Sequence, residues 1–391
     1  MEYNYIYSIP YIILILFYGG ASLVYHSSKS DKVHVVLRVS CVALFLLFFG
    51  FRGFIGDDWT NYYPMFERTS AQNWEDMLQA MQDTAFEPGF FMLTLVCKQV
   101  SGESYVFYQF VCSLIVLFLL YRFLSRNLDN IPLGFLLYLC FGGFVMSTNL
   151  MRNSISILIF LNAIDFLRRR KAIPYFLLCL LALSFHNSAI LYFPLYFFFH
   201  KRCPRWLFLL VILGGNAVFL LQVKTITPVL LTMARALGEV YEKLLENYIE
   251  GKYGDISAGF SIGLLERTFT TFLVWCYYDK LHAQREENAL FVNAMLAYMF
   301  LNLFFYEFQI VGQRLANLFV FFYWVIWVDL IRCFSIRGNK LLYISFMGVY
   351  CVLKIAGLTC LETYRYDNFL LGAKSYEERL YIHQKYEDDD E

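Results

Sequence analysis

The sequence predicts an all-α, polytopic transmembrane helical bundle of about 11–12 spans, with amphipathic helices on its outer face. Three observations carry that expectation. The residues AVILMFWYC make up 59% of the 391 positions and charged residues only 16%, where soluble domains run nearer to about half and a quarter. The apolar residues fall in continuous runs of about 15–22, each roughly enough to cross a ~30 Å hydrocarbon core as helix. Those runs do not alternate with period two, so helices rather than a barrel satisfy the backbone in lipid.

Taken in order, spans are expected at 5–25, 35–51, 104–124, 131–147, 150–167, 173–185, 188–199, 205–222, 259–278, 289–306, 315–331 and 341–358. The first is too long for the apolar region of a cleavable signal, and no A-x-A site follows. Lys and Arg in short connectors set orientation. Arg168-Arg169-Arg170-Lys171 and His200-Lys201-Arg202-Cys203-Pro204-Arg205 are the strongest cytoplasmic anchors, with 279–285 and 332–340 behind them. The stretch 53–88 is the opposite: Asp57, Asp58, Glu67, Glu75, Asp76, Asp83 and Glu87 stand against Arg68 alone, which places it outside.

These anchors constrain two further segments. Counting 86–100 as a span would invert the connector at 121–126, so this short apolar piece reads as a helix on or dipping into the outer face. The stretch 173–199 has basic anchors at both ends, so it crosses twice. Phe185-His186-Asn187-Ser188 is the turn between the two halves, and broken helices at membrane depth mark cavities. The whole reads as one transmembrane domain over 1–361, with external loops at 53–103 and 223–257. A polar, acidic tail over 362–391 is read as solvated and given no catalytic role.

Composition also excludes functions. Net charge is zero, so no field points to nucleic acid. The ten cysteines are scattered, with no CxxC pair, and read as small buried hydrophobes. There is no P-loop, no GxGxxG after a strand, no HExxH and no GxSxG. No cofactor is expected; a divalent ion on the carboxylates has no support.

The candidate chemistry lies in polar clusters at span ends. Arg52-Gly53-Phe54-Ile55-Gly56-Asp57-Asp58-Trp59-Thr60-Asn61-Tyr62-Tyr63 combines a cation, two glycines, adjacent carboxylates and aromatics. Arg52 is either a snorkelling anchor or an anion ligand. Asp57 and Asp58 are solvated groups, ion ligands or a general base, and adjacent residues do not share a helix face. Arg152 opens an apolar helix behind Thr148 and Asn149, either of which can cap it. A cation there opposes the macrodipole unless an anion joins it. His186 is a structural histidine or a proton carrier. Arg314 opens a late span after Glu307, which is one expected partner, a ligand phosphate being the other.

Arg52-Gly53-x-x-Gly56-Asp57-Asp58-x-x-x-Tyr62 resembles the outer loop of EpsG-like proteins, a family of Wzy-type polysaccharide repeat-unit polymerases. Trp59 stands where that loop usually has Tyr, and either Asp57 or Asp58 matches its acid. Glu87-Pro88-Gly89-Phe90, then Gly102-x-Ser104, is similar to the family's next segment. Met151-Arg152-Asn153-Ser154 resembles a helix start of the family, with Asn153 and Ser156 departing from it. Phe185-His186-Asn187-Ser188-Ala189 matches its F-H-x-S-A turn, and Arg314 sits where a late Arg opens a span. The arrangement also resembles GT-C glycosyltransferases.

The resemblance implies a bacterial plasma-membrane enzyme with its active site facing the exterior. It would join repeat units carried on undecaprenyl diphosphate into O-antigen, capsule or exopolysaccharide, in the lipid bilayer and with a chain-length regulator as partner. Arg152, Asp57, Asp58 and His186 would be catalytic. Arg52, Arg314, Tyr62, Tyr63, Trp59, Glu87, Asn153 and Ser188 would bind substrate, with the aromatics stacking on sugars. The alternatives are a GT-C transferase using a polyprenyl-phosphate sugar and a lipid-linked oligosaccharide flippase.

Overall fold

A computed structural model describes residues 3–70, 86–238, 243 and 259–388. Glu75, Asp76 and Asp83 of the expected acidic loop, most of the second external loop and the last three acidic residues lie outside the described residues.

The described residues are helical throughout, and their only β pairing is a single antiparallel bridge between Arg52 and Asn368. Five helices among them are long and apolar enough to cross a membrane: Tyr5–Ser27, Asp31–Gly50, Tyr105–Asn127, Ile131–Thr148 and Arg337–Thr359. A sixth arises if the bent pair Val311–Asn317 and Phe322–Cys333 counts as one span. The chain is therefore an all-α, multi-pass membrane protein. Most of the other expected spans are helices, shorter or less apolar, such as Ala172–Phe185 and Asn288–Phe304, but 188–199 forms only the 3-10 turn Asn187–Tyr192 and the four-residue helix Leu195–Phe198. Exposed Ile13, Leu16, Val36, Val39, Leu177 and Leu181 give their helices the apolar outer faces that hydrocarbon requires.

The helix Met151–Arg168 behaves differently. Its residues from Asn153 to Ile164 are all buried, so it runs through protein rather than along lipid and tolerates polar residues. Ser156 Oγ donates to the Ala182 carbonyl at 2.8 Å, and Tyr192 stacks on Phe160 at 3.6 Å between centroids. Charges at the edge of the bundle also find partners: the exposed Arg126 bonds Asp165 at 2.5 Å, and the Lys354 ammonium lies 4.4 Å from the Phe141 ring centroid.

Local sequence explains three helix starts. Ser104, Asn130 and Ser261 each accept a backbone N–H from two to three residues into the helix they open. The span Ile131–Thr148 is broken by a π-helical turn at Leu139–Gly143, where Gly142 takes φ +86°.

Residues Met1–Tyr196 together with Leu341–Glu391 form one compact unit, and Phe197–Lys340 forms a second. The sequence reading drew one transmembrane domain over 1–361 and a polar, acidic tail over 362–391. The first unit closes by wrapping its C-terminal segment back onto the 51–58 loop. Gly53 and Gly56 donate to Asp367 and Thr363, and Phe369 donates to Phe51, each at 2.8 Å. Beyond Ser375 the chain forms the helix Tyr376–Asp388. Arg379 is buried there, with Nε on the Phe54 carbonyl at 3.0 Å and its Nη atoms on Glu362 and Thr363. The acidic run suggested solvation, but Arg379 and the aromatic face of this helix outweigh it.

Candidate active site

The Phe51–Tyr63 loop is held by its glycines. Gly56 has φ +83°, and a Cβ there would fall 1.6 Å from Asn149 Oδ1. Only glycine permits both the left-handed backbone and that approach. The space is used by Asn149: its Oδ1 accepts from Asp57 N at 3.1 Å, and its Nδ2 donates to the Tyr364 hydroxyl at 3.2 Å and Asp57 Oδ2 at 3.5 Å. Asn149 therefore does not cap the following helix as the sequence suggested. Leu150 holds the cap position, without a side-chain bond, because the side chain of Asn149 is committed across to the loop.

Asp57 is half exposed, and its Oδ1 lies 3.3 Å from His383 Nε2 on the C-terminal helix. Asp58 precedes the helix Trp59–Arg68, and its carbonyl accepts from Asn61 and Tyr62. The aromatics expected to stack on sugars are placed otherwise. Trp59 and Tyr62 are each only 3% exposed. Trp59 donates to the Gly56 carbonyl at 2.7 Å and meets Tyr376 and His383 edge-on. Tyr63 stacks on Tyr376 at 4.1 Å. Burial of large aromatic area outcompetes display of the ring faces.

Arg52 is also turned inward. Its guanidinium bonds the Phe49 carbonyl at 2.6 Å, Ser113 Oγ at 3.3 Å and Met151 Sδ at 3.1 Å. No carboxylate pairs with it among the described residues, and burial pulls its pKa below the ordinary value. It lies beside a cavity of about 10 Å³, room for one water. The expected anion ligand is thus a brace under the loop.

Arg152 lies at a junction. Its Nη1 bonds Glu87 Oε2 at 2.5 Å, and its guanidinium carbon sits 4.3 Å from the Phe86 ring centroid. Glu87 Oε1 accepts the backbone N–H of Asn187 at 3.1 Å, tying the His186 turn to the same carboxylate. Glu87 can reach because its helix, Pro88–Ser101, packs tightly on the end of Ala172–Phe185. A Cβ at Gly89 would meet Ser184 Oγ at 2.4 Å. Glu87 supplies the negative charge that a cation in the first turn of Met151–Arg168 calls for. Burial and then the negative charge of Asp58 raise the pKa of the buried Tyr62 phenol, and the positive charge of nearby Arg152 opposes them. Nε of Arg152 is buried with no hydrogen-bond partner among the described residues, while its side chain keeps 23% exposure.

In the turn, His186 is extended, with φ −160°, between Ala172–Phe185 and the 3-10 turn Asn187–Tyr192. Its Nδ1 accepts from Ser188 N at 3.2 Å and contacts Ser188 Oγ at 2.7 Å. Ser188 Oγ in turn reaches Asn153 Oδ1 at 3.5 Å, on the helix that carries Arg152. A backbone N–H only donates, so in that contact Nδ1 is the acceptor.

One corner of the first unit therefore gathers Glu87, Arg152, Asn153, His186, Ser188 and Tyr62. Asp57, Asn149 and His383 stand on the same loop and helix junction. Arg314 belongs to the second unit, where it is exposed on Gln309–Asn317. Its expected partner Glu307 is engaged elsewhere: it accepts the backbone N–H groups of Thr225, Ile226 and Thr227 at 2.5, 2.8 and 3.0 Å.

Tyr364, Arg379 and His383 were not foreseen, and Asn149 was foreseen only as a helix cap. The spacing of Arg379 and His383 puts them on one helix face, which is the signal the tail offered.

The model of the EpsG family matches residues 35–368, from within the second span to the bridge residue Asn368. Arg379 and His383 lie beyond the matched stretch. No curated protein and no solved structure matches the chain.

Proposed function

The chain belongs to the EpsG family and is a membrane protein of polysaccharide biosynthesis, and from that premise we propose that it polymerises oligosaccharide repeat units. The growing glycan moves from undecaprenyl diphosphate onto an incoming lipid-linked unit at the outer leaflet of a bacterial plasma membrane, for O-antigen, capsule or exopolysaccharide. The observation that carries this reading is the state of Arg152. It is part exposed beside the Glu87 and His186 junction, with a buried Nε–H that no described residue accepts. Buried donors are nearly always satisfied, and guanidinium matches phosphate oxygens.

In the reaction the acceptor hydroxyl oxygen attacks the anomeric carbon of the donor chain, and the bond from that carbon to the diphosphate oxygen breaks. The anomeric centre inverts, and the electron pair leaves on the diphosphate. Arg152 meets that developing charge with its remaining donors, and stabilisation of this kind is commonly the largest catalytic term. His186 adds its Nε2–H as a donor, because Ser188 holds Nδ1 as acceptor. Asp57 takes the acceptor proton: it is the accessible carboxylate, positioned by Asn149 and His383. Arg52, Trp59 and Tyr62 hold the loop rather than touch sugar. No nucleotide sugar enters.

The test is complementation of a deletion host with Arg152→Ala, His186→Ala and Asp57→Asn, with membrane levels checked. Each variant is expected to collapse the polysaccharide ladder to single repeat units. Ladders of normal length in all three would overturn the reading. In vitro, a product one sugar longer instead of many repeats would assign a single-addition transferase. A chelator arm reads metal dependence directly.

A further inference from the structure

In the second unit, the helix Ile226–Leu237 follows the apolar helix Trp206–Leu220 after a short connector. Leu209, Leu210, Leu213 and Leu220 are exposed on the first of these, and Leu221 and Val223 continue that apolar surface past its end. Between them Gln222 takes the left-handed φ +52°, and the Val223 N–H closes back on the Val218 carbonyl at 3.0 Å. That geometry stops the first helix and turns the chain. The second helix has 12 residues. At ~1.5 Å per residue it reaches about 18 Å, too short to cross a ~30 Å core. The start of this helix is held from a distance, because no side chain of its own caps it. Glu307 accepts the N–H groups of Thr225, Ile226 and Thr227 instead.

Three rows of side chains run along Ile226–Leu237, each about 100° around the axis from the next. Ala234 is buried, and Thr227 and Leu231 beside it are half-buried, so that row faces protein. Pro228, Thr232 and Arg235 form an exposed row of polar character, with Thr232 Oγ1 donating to the Pro228 carbonyl at 2.8 Å. Val229, Met233 and Ala236 form a second exposed row that is wholly apolar, with Val229 55% and Met233 56% exposed. A helix between protein and water needs only two faces. The third, apolar and uncovered, calls for hydrocarbon.

We propose that Ile226–Leu237 rests on the bilayer surface. Val229, Met233 and Ala236 enter the boundary between phospholipid headgroups and acyl chains, while Thr232 and Arg235 face water. The occupant of the apolar row is phospholipid because the row carries on the exposed surface of Trp206–Leu220 through Leu221 and Val223. Lys224 is exposed between the two, where a long side chain reaches headgroup phosphates. The loop expected outside over 223–257 is thus membrane contact over these twelve residues. Glu307 carries the seat inward: its turn Tyr306–Phe308 leads into the bent pair Val311–Asn317 and Phe322–Cys333. This seat does not depend on the polymerase reading.

The full, unsubstituted chain is placed in nanodiscs containing a phosphatidylcholine with a diazirine on its acyl chain, and photolabelled residues are read by peptide mass spectrometry. Labelling of Val229 and Met233 is expected to exceed that of Thr232 at least about fivefold, with exposed Leu213 of the preceding helix as positive control. Spin labels give a second measurement, in a Cys276→Ser background that removes the exposed native cysteine. Labels on Val229→Cys and Met233→Cys are expected to favour collision with oxygen over a nickel chelate, at least about fivefold more than a label on Thr232→Cys. Absence of photolabel from Val229 and Met233 beside a labelled Leu213 overturns the seat. Spin labels there that are open to the nickel chelate assign the row to water, and labels shielded from both reagents assign it to a protein partner. Either outcome overturns the proposal.

Discussion

Two polar regions of this protein are built on opposite plans. In the first unit, the corner around Arg152 is crowded and cross-tied. Glu87 holds both a guanidinium and a backbone N–H, Asn149 fills the space over Gly56, and Ser188 fixes His186. In the second unit, Arg267, Asn302 and Gln313 line an open hollow. A site that must place reacting groups within fractions of an ångström gains from cross-ties. The same contrast separates Arg52, a brace inside the bundle, from Arg152, whose side chain keeps a route to the outside.

The sharpest break of that comparison is Arg152→Ala. If the corner is catalytic, polymerisation falls by about 10²–10³-fold, the scale of losing one donor to developing charge. Ladder length corrected for membrane level reads the effect.

Next in size is the Glu87–Arg152 pair itself. Glu87→Leu leaves a partly buried guanidinium without its acid and releases the Asn187 N–H. The loss is expected near the low end of roughly 3–5 kcal/mol, because Arg152 keeps some exposure. The double variant Glu87→Leu/Arg152→Met is expected to recover part of it, and a thermal-shift double-mutant cycle measures the coupling. Strict additivity would show that the pair is not a unit.

Gly56→Ala follows. A left-handed backbone costs an L-residue roughly 1–2 kcal/mol, and the new methyl would collide with Asn149. The loop must shift, so Asp57 moves from Asn149 and His383. Reduced ladder length with only a modest fall in melting temperature is the expected pattern. Normal ladders would detach the loop from the chemistry.

The smallest effect lies in the second unit. Burial alone would raise the Glu307 pKa, but hydrogen bonds from Thr227, Ile226 and Thr225 outweigh it and hold it below its ordinary 4.5. A carboxylate lowered on folding contributes stability above its unfolded pKa, and that contribution is lost as pH falls through the folded value. Melting temperature should therefore drop with acidity below about pH 4.5. Glu307→Gln should flatten that slope and cost about 1 kcal/mol at neutral pH, the scale of a lost helix cap. An unchanged slope would deny Glu307 its capping role.

Much of the site was legible in the chain. The Gly56-Asp57, Glu87-Pro88-Gly89, Met151-Arg152 and Phe185-His186-Asn187 runs each mark a local backbone need. The structure brings the last three into hydrogen-bonded contact, and Asn149 links the first to them. Partnership was less legible. Arg152 was expected to await an anion and carries Glu87 as well, and Asn149 was expected to cap a helix and instead spans to the loop. Trp59 and Tyr62 were read as ring faces on offer, but nothing in a sequence tells a displayed aromatic from a buried one.

Hydrophobic run length by itself determined that this is an all-α membrane protein, because lipid leaves the backbone no alternative within a continuous apolar segment. Only the tertiary structure decided which charges meet, that the C-terminal helix brings Arg379 and His383 to the loop, and that the second unit holds a polar hollow. Those outcomes depend on side chains hundreds of positions apart, such as Asp57 and His383, whose attraction has no trace in local periodicity or propensity.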